Sequence, residues 1–175
     1  MSDFFETIQK RRSVHAFSNR ELEEGFLPQV LEAARLAPSA GNLQAYEIYL
    51  ISSQANRATL AEAALNQDFI AQAPVSLVFC TNAGRSSIKY GERGSRLYCV
   101  QDATIAATFA MLAAGCLGLA TAWVGAFDAR QVARVCAAPA GQHPVVILVL
   151  GYAAESPPDK PRRSLEELVH QEKQE

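Results

Sequence analysis

From Ala103 to Phe127 the chain carries no charged residue at all, and Asp102 and Asp128 stand at the two ends of this stretch. A run of this length is long enough to suggest a transmembrane helix. Its makeup argues otherwise. The stretch is rich in Ala, Gly and Thr rather than Leu and Ile, contains Gly115 and Gly118, and has no basic cluster on either flank. It therefore predicts a core helix, apolar all round, from about Ser95 to Leu117, followed by a buried strand through ATAWVGA. The small residues Ala103, Ala106, Ala107, Ala110 and Ala114 allow close approach of a second helix, within the core or across a dimer seam.

A chain with such a helix needs other elements to bury it, and the rest of the sequence supplies them. Phe4, Phe5 and Ile8 share one face of a first helix that Asp3 is placed to cap and that runs into Lys10, Arg11 and Arg12. A second helix is predicted from Leu27 to Leu36, with Val30, Leu31 and Ala34 inward and Pro38 beyond its end. YEIYLISS, PVSLVFCT and PVVILVLGY read as further strands. ANRATLAEAALNQDFIAQA and DARQVARVCAA read as helical connections, and Ser164 opens a short helix in the tail. Strands and helices are interspersed, with no repeat or linker, so residues 1–175 are expected to form one domain.

Charge and cysteine usage exclude several functions. Sixteen basic and eighteen acidic residues give a net charge of −2, without the positive field that nucleic-acid binding requires. The N-terminus MSDFFETIQKRR begins acidic and lacks the form of a secretory leader, and Cys80, Cys99, Cys116 and Cys136 are widely spaced in apolar surroundings. Buried free thiols in a reducing cytoplasm are expected, with no membrane association. His15, His143 and His170 lack ligand spacing, so no metal site is expected. There is no GxSxG, HExxH, Walker-type or GxGxxG motif.

Four polar or unusual segments are left. Arg11-Arg12-Ser13 with His15 can grip a phosphate, or can be a solvated helix end. Pro38-Ser39-Ala40-Gly41-Asn42-Leu43-Gln44 concentrates turn residues and amides just before a strand. Ala122-Trp123-Val124-Gly125 holds the only tryptophan, which core packing explains equally well. Arg162-Arg163 ends a proline-stiffened arm. Tyr90, Gly91, Arg93, Arg96 and Tyr98 form a further polar patch, either a mobile lid at a substrate mouth or an ordinary surface loop.

Taken in order, RRSVHAF, APSAGNLQAYE, QDATIAATFAMLAAGCLGLATAWVGAF and PVVILVLGYAAESPPDKPRRSLEELV resemble the nitroreductase family of FMN-dependent oxidoreductases over essentially the whole chain. The resemblance implies an α+β fold: an α/β/α sandwich with a mixed, mainly antiparallel sheet flanked by helices. It also implies a homodimer with FMN at the subunit interface, NADH or NADPH as electron donor, and a nitroaromatic, quinone or related small-molecule acceptor reduced by ping-pong hydride transfer. A flavin-dependent dehydrogenase or dehalogenase, or a flavin sensor with little turnover, are the alternatives within this resemblance. No protein nucleophile is implied, since the flavin carries the hydride.

By the same resemblance Arg11, Arg12 and Ser13 contact the phosphate and ribityl chain, and Arg162 with Arg163 closes on the phosphate from the tail. Pro38, Ser39, Asn42 and Gln44 belong to the loop that covers the isoalloxazine ring, often from the partner subunit. The backbone of Ala122, Trp123, Val124 and Gly125 lines the flavin edge. The chain departs from the family at His15, where many relatives carry a permanent cation near the ring; a histidine there makes that charge depend on pH. Ala45-Tyr46 stands where relatives commonly have Pro-Trp, which bears on the shape of the mouth.

Overall fold

Strand β2 (Val75–Asn82) is buried along almost its whole length because helices cover both of its faces. In the computed structural model, which describes residues 3–172, it pairs with β1 (Tyr46–Ile51) on one side and β4 (Gln142–Gly151) on the other. Strand β3 (Ala120–Val124) completes the order β1-β2-β4-β3, and every one of these pairings is antiparallel. The parallel component of the expected mixed sheet is confined to an isolated bridge between Ser13 and Thr121. The β2–β4 register slips between Phe79 and Cys80, opposite Pro144, which has no N–H to give to the ladder.

Alternation along β2 and β4 divides the core. Leu77, Phe79, Val146, Leu148 and Leu150 face α2 (Phe26–Arg35) and α6 (Cys99–Cys116). Val78, Cys80, Ile147 and Val149 face Leu60 of α3 (Gln54–Ala63), Ile70 of α4 (Phe69–Gln72) and Val132 of α7 (Ala129–Val135). The architecture is thus the expected α/β/α sandwich. Helix α1 (Phe4–Lys10) packs near the far end of α6, where Thr7 meets Cys116 at 3.4 Å. Asp3 does not cap α1 with its side chain; its carbonyl instead accepts from the Thr7 hydroxyl at 3.0 Å. The short α8 (Leu165–Leu168) has the capping box built on Ser164 and Glu167. All four cysteines are free, and only Cys116 is not fully buried.

The largest departure from expectation precedes α6. Helical structure begins not at Ser95 but with α5 (Ala83–Arg93), so Tyr90 to Tyr98 is helical and not an ordinary surface loop. A π-helical turn, Gly94–Tyr98, then leads into α6. Gly91, at φ 54 and ψ −138, breaks the helix so that the following turn folds back on α5. The stretch Ala83–Cys116 is long and apolar enough to cross a membrane by composition, yet it is not one straight rod. Ala103, Ala106, Ala107, Ala110 and Ala114 of α6 are fully buried, whereas Val100 and Phe109 stay partly exposed.

Gly94 makes this turn possible. A Cβ placed there would lie 2.5 Å from the Ser86 carbonyl oxygen and 2.9 Å from the Ser86 carbonyl carbon, both of them backbone atoms that cannot simply rotate away. Gly94→Ala is therefore expected to lower stability by about 2 kcal/mol. In thermal unfolding this reads as a fall of roughly 6 °C in Tm. A Tm within a degree of the parent would show that the two turns separate without cost.

Candidate functional site

The N-terminal arm is the starting point, because it brings both chain ends together. After α1 the backbone becomes extended, Val14 donates to the Thr121 carbonyl at 3.0 Å, and Phe17 bridges Ala153 beyond β4. Arg11, Arg12 and Ser13 thereby lie beside the proline-stiffened tail. Arg12 Nε donates to Asp159 Oδ1 at 2.7 Å, and its Nη2 meets the same oxygen. Its Nη1 donates to the Gln9 and Arg11 carbonyls at 2.6 and 2.9 Å. Arg162 completes the group. Burial, then the nearby Arg162 and Arg12 guanidiniums, hold Arg11 below the ordinary arginine value.

These residues line two adjoining clefts. One, of about 450 Å³, is walled by Arg11, Arg12, Ser13, Arg162 and the Pro157–Lys160 arm. The other, of about 730 Å³, shares Arg11, Arg12 and Asp159 and extends past Thr121 to Gly115 and Gly118 at the end of α6. Three guanidiniums face the single carboxylate of Asp159 in the smaller cleft, an excess of positive charge that suits an anion with several oxygens.

The Pro38–Gln44 loop is built by different forces. Gly41, Asn42 and Gln44 all take left-handed backbone angles, with φ of 56, 57 and 44. The Ser39 hydroxyl accepts from Gln44 N at 2.9 Å, and Gln44 Nε2 donates to Asn42 Oδ1 at 2.6 Å. From below, the buried Asp102 carboxylate accepts from Ala40 N at 2.9 Å and from Ala45 N at 3.3 Å. Pro38, Ser39 and Ala40 line a cavity of about 540 Å³ with Tyr98 and the Val100–Ile105 part of α6. That cavity has no lining residue in common with the arginine clefts.

Other predicted residues are distributed differently. Arg163 turns away from the cluster and donates to the Glu167 carbonyl at 2.7 Å. His15 lies outside the lining of both clefts, its ring edge-on to Phe69 at 4.9 Å and its backbone N–H donated to the Glu155 carboxylate. Ala122 and Val124 point into the core, Trp123 packs half-buried against the α2–α6 side, and Gly125 is exposed just past the strand. Two functional candidates were not foreseen, Asp102 and Asp159. Asp102 had a visible cue, as the lone charge at the head of the uncharged run.

Comparison with known proteins agrees with this architecture. The model of the nitroreductase family matches residues 8–67 and 54–152. The FMN reductase [NAD(P)H] of Bacillus subtilis is 29% identical over 98% of this chain and 74% of its own length. The oxygen-insensitive NADPH nitroreductase of Salmonella typhimurium is 28% identical, with the same coverage of 98% and 74%. Among solved structures, that of Bacillus megaterium NfrA2 superposes with a TM-score of 0.91 at 28% identity, covering 100% of this chain and 76% of that one. The NADPH:FMN oxidoreductase of Vibrio harveyi, complexed with NAD+, gives a TM-score of 0.89 at 25% identity, covering 99% and 79%. With both the fold and the greater part of the sequence matched, this chain belongs to the nitroreductase family.

Proposed function

We propose that the chain is an FMN-dependent oxidoreductase that takes electrons from NADH or NADPH and reduces a small acceptor such as a nitroaromatic or a quinone. The observation that carries this reading is the gathering of Arg11, Arg12 and Arg162 from opposite ends of the sequence into one cleft. The residues present fit the cofactor: the guanidiniums and the Ser13 hydroxyl suit its phosphate, and the longer cleft running past Thr121 offers room for the remainder. Bound FMN supplies two-electron hydride transfer, a chemistry no side chain of this protein provides. The protein's part is to hold the phosphate, orient the ring and limit access of water.

The reading extends to two copies of the chain that share each site. The arginine clefts reach the Gly115 end of α6, while the loop cavity lies against its Val100–Ile105 end. From Ile105 to Gly115 is about 15 Å along the helix axis at 1.5 Å per residue. With the loop and the arginines at separate stations on α6, the reading follows the family resemblance in bringing Ser39 and its neighbours to the cofactor of a second copy, in a homodimer whose apolar seam draws on Phe4, Phe5, Val100 and Phe109. The free thiols suit a reducing cytoplasm.

The purified protein is expected to be yellow, to sediment as a dimer and to bleach on anaerobic mixing with a reduced nicotinamide nucleotide. Donor and acceptor then occupy the same face in turn, so double-reciprocal plots at several acceptor concentrations give parallel lines. Intersecting lines would contradict alternate occupancy. A coloured protein that neither nucleotide bleaches would contradict the oxidoreductase reading itself.

A further inference from the structure

The polar segment before α6 is absorbed by none of the above, and its side chains form one connected group. Arg85 Nε donates to the Leu43 carbonyl, which fixes α5 against the Pro38–Gln44 loop. Four residues on, Lys89 lies over the Tyr90 ring at 5.4 Å from its centroid. Both Lys89 Nζ and the Tyr90 hydroxyl press on Gly41, close enough that a Cβ there would meet the ammonium at 2.8 Å. After the break at Gly91 the chain returns, and Arg93 Nε donates to the Tyr98 hydroxyl at 2.9 Å. Tyr98 stands edge-on to Tyr90 at 5.1 Å and lines the loop cavity with Pro38 and Ser39.

Three cations of the group have no carboxylate partner among the described residues, and the Asp102 carboxylate in the lining of the loop cavity is held by two backbone N–H groups. Among the described residues Arg85, Lys89 and Arg93 form no ion pair; their partners are a carbonyl, a phenol and aromatic faces. The neighbouring Arg96 differs, being bound to Glu92 at 3.0 Å. In a chain with a net charge of −2, three exposed and unneutralised cations beside two tyrosine rings are a local concentration of positive charge. Held by rings and neutral oxygens, they are oriented before any anion arrives, which lowers the entropy lost on binding.

We propose that Lys89 and Arg93, supported by Arg85, recognise the 2′-phosphate of NADPH at the rim of the loop cavity and make this protein selective for NADPH over NADH. The proposal rests on the oxidoreductase reading above and assigns its donor. NADPH and NADH share the nicotinamide, the pyrophosphate and the adenine; they differ only in a phosphate monoester, whose nearly two negative charges reward clustered cations. Tyr90 and Tyr98 offer apolar faces to the attached adenine. The flavin phosphate does not compete for this group, since the clefts of Arg11, Arg12 and Arg162 lie elsewhere.

The test uses the FMN-loaded protein and the double variant Lys89→Gln, Arg93→Gln, leaving Arg85 in place because its bond anchors the loop. Calorimetry with adenosine 2′-monophosphate and adenosine 5′-monophosphate reads the phosphate site without turnover. The parent is expected to bind the 2′ isomer more tightly, and the double variant to bind both alike. The ratio of kcat/KM for NADPH to that for NADH should fall about 10- to 100-fold, the scale of one or two charge-assisted hydrogen bonds. Lys89→Arg should keep most of the preference. Equal binding of the two isomers by the parent, or an unchanged ratio in the variant, overturns the proposal. If NADH still bleaches the flavin in that case, the oxidoreductase reading stands while the NADPH site falls. If neither nucleotide bleaches it but the parent alone prefers the 2′ isomer, the phosphate site stands and the wider reading fails.

Discussion

Replacing Arg11 and Arg162 together by alanine is expected to give a folded, colourless protein whose affinity for FMN is reduced by at least 100-fold. On the proposed function each guanidinium removed deletes a charge-assisted contact to the phosphate, and contacts of that kind contribute about 1.5–3 kcal/mol apiece. Two of them correspond to roughly a hundredfold or more in dissociation constant. Riboflavin is the control: it carries the same ring without the phosphate, so its binding should change little. Equal losses for FMN and riboflavin would place the phosphate elsewhere.

The unliganded variant should be no less stable than the parent. Arg11 is pressed by its own burial and by the charges of Arg162 and Arg12, so its cationic form is disfavoured in the fold. Removing it relieves repulsion. The parent, by contrast, should gain thermal stability as FMN is added, because the ligand binds only the folded state. A cleft that holds like charges close together before its anion arrives is a site kept at some cost to the empty protein.

The second large effect concerns Asp102. Asp102→Ala removes a buried acceptor of two backbone N–H groups, at Ala40 and Ala45, and leaves both donors without a partner. An unsatisfied buried donor costs about 1–3 kcal/mol, so the variant should lose about 3 kcal/mol and roughly 6–12 °C in Tm. Asp102→Asn keeps one acceptor oxygen and should lose about half as much. Loss of the carboxylate also frees a loop with left-handed angles at Gly41, Asn42 and Gln44, so on the proposed function flavin binding should weaken in parallel. A change below 0.5 kcal/mol in Asp102→Ala, within the usual range of surface substitutions, would mean that the loop holds itself.

Much of this fold was legible because its core elements carry strong local patterns. Val75 to Thr81 is apolar and β-branched enough to be a central strand in any context, and the alanines of α6 announce a buried helix. Helix α5 was not legible. It contains Gly84, Ser86, Ser87 and Gly91, poor helix formers that tertiary packing overrides here by seating Ser86 against the returning turn at Gly94. The arginines of the cleft stood out only through the family resemblance, each pair on its own reading as ordinary surface charge. The pairing of Arg12 with Asp159, across 147 residues, has no local trace. Nor could the sequence tell that the loop and the arginines open into separate cavities, since that depends on which end of α6 each approaches.

The joining of the two chain ends also sets a time order. Residues 11–13 are made long before Arg162, so the cleft they share closes only after β4 has paired and the tail has crossed back. Contacts of such long sequence separation form late, because the intervening chain must be ordered before they are rewarded. A nascent chain halted before Asp159 would hold all four strands of its sheet yet lack one of the three guanidiniums of the cleft. On the proposed function, full grip on the cofactor then waits until residue 162 has been made.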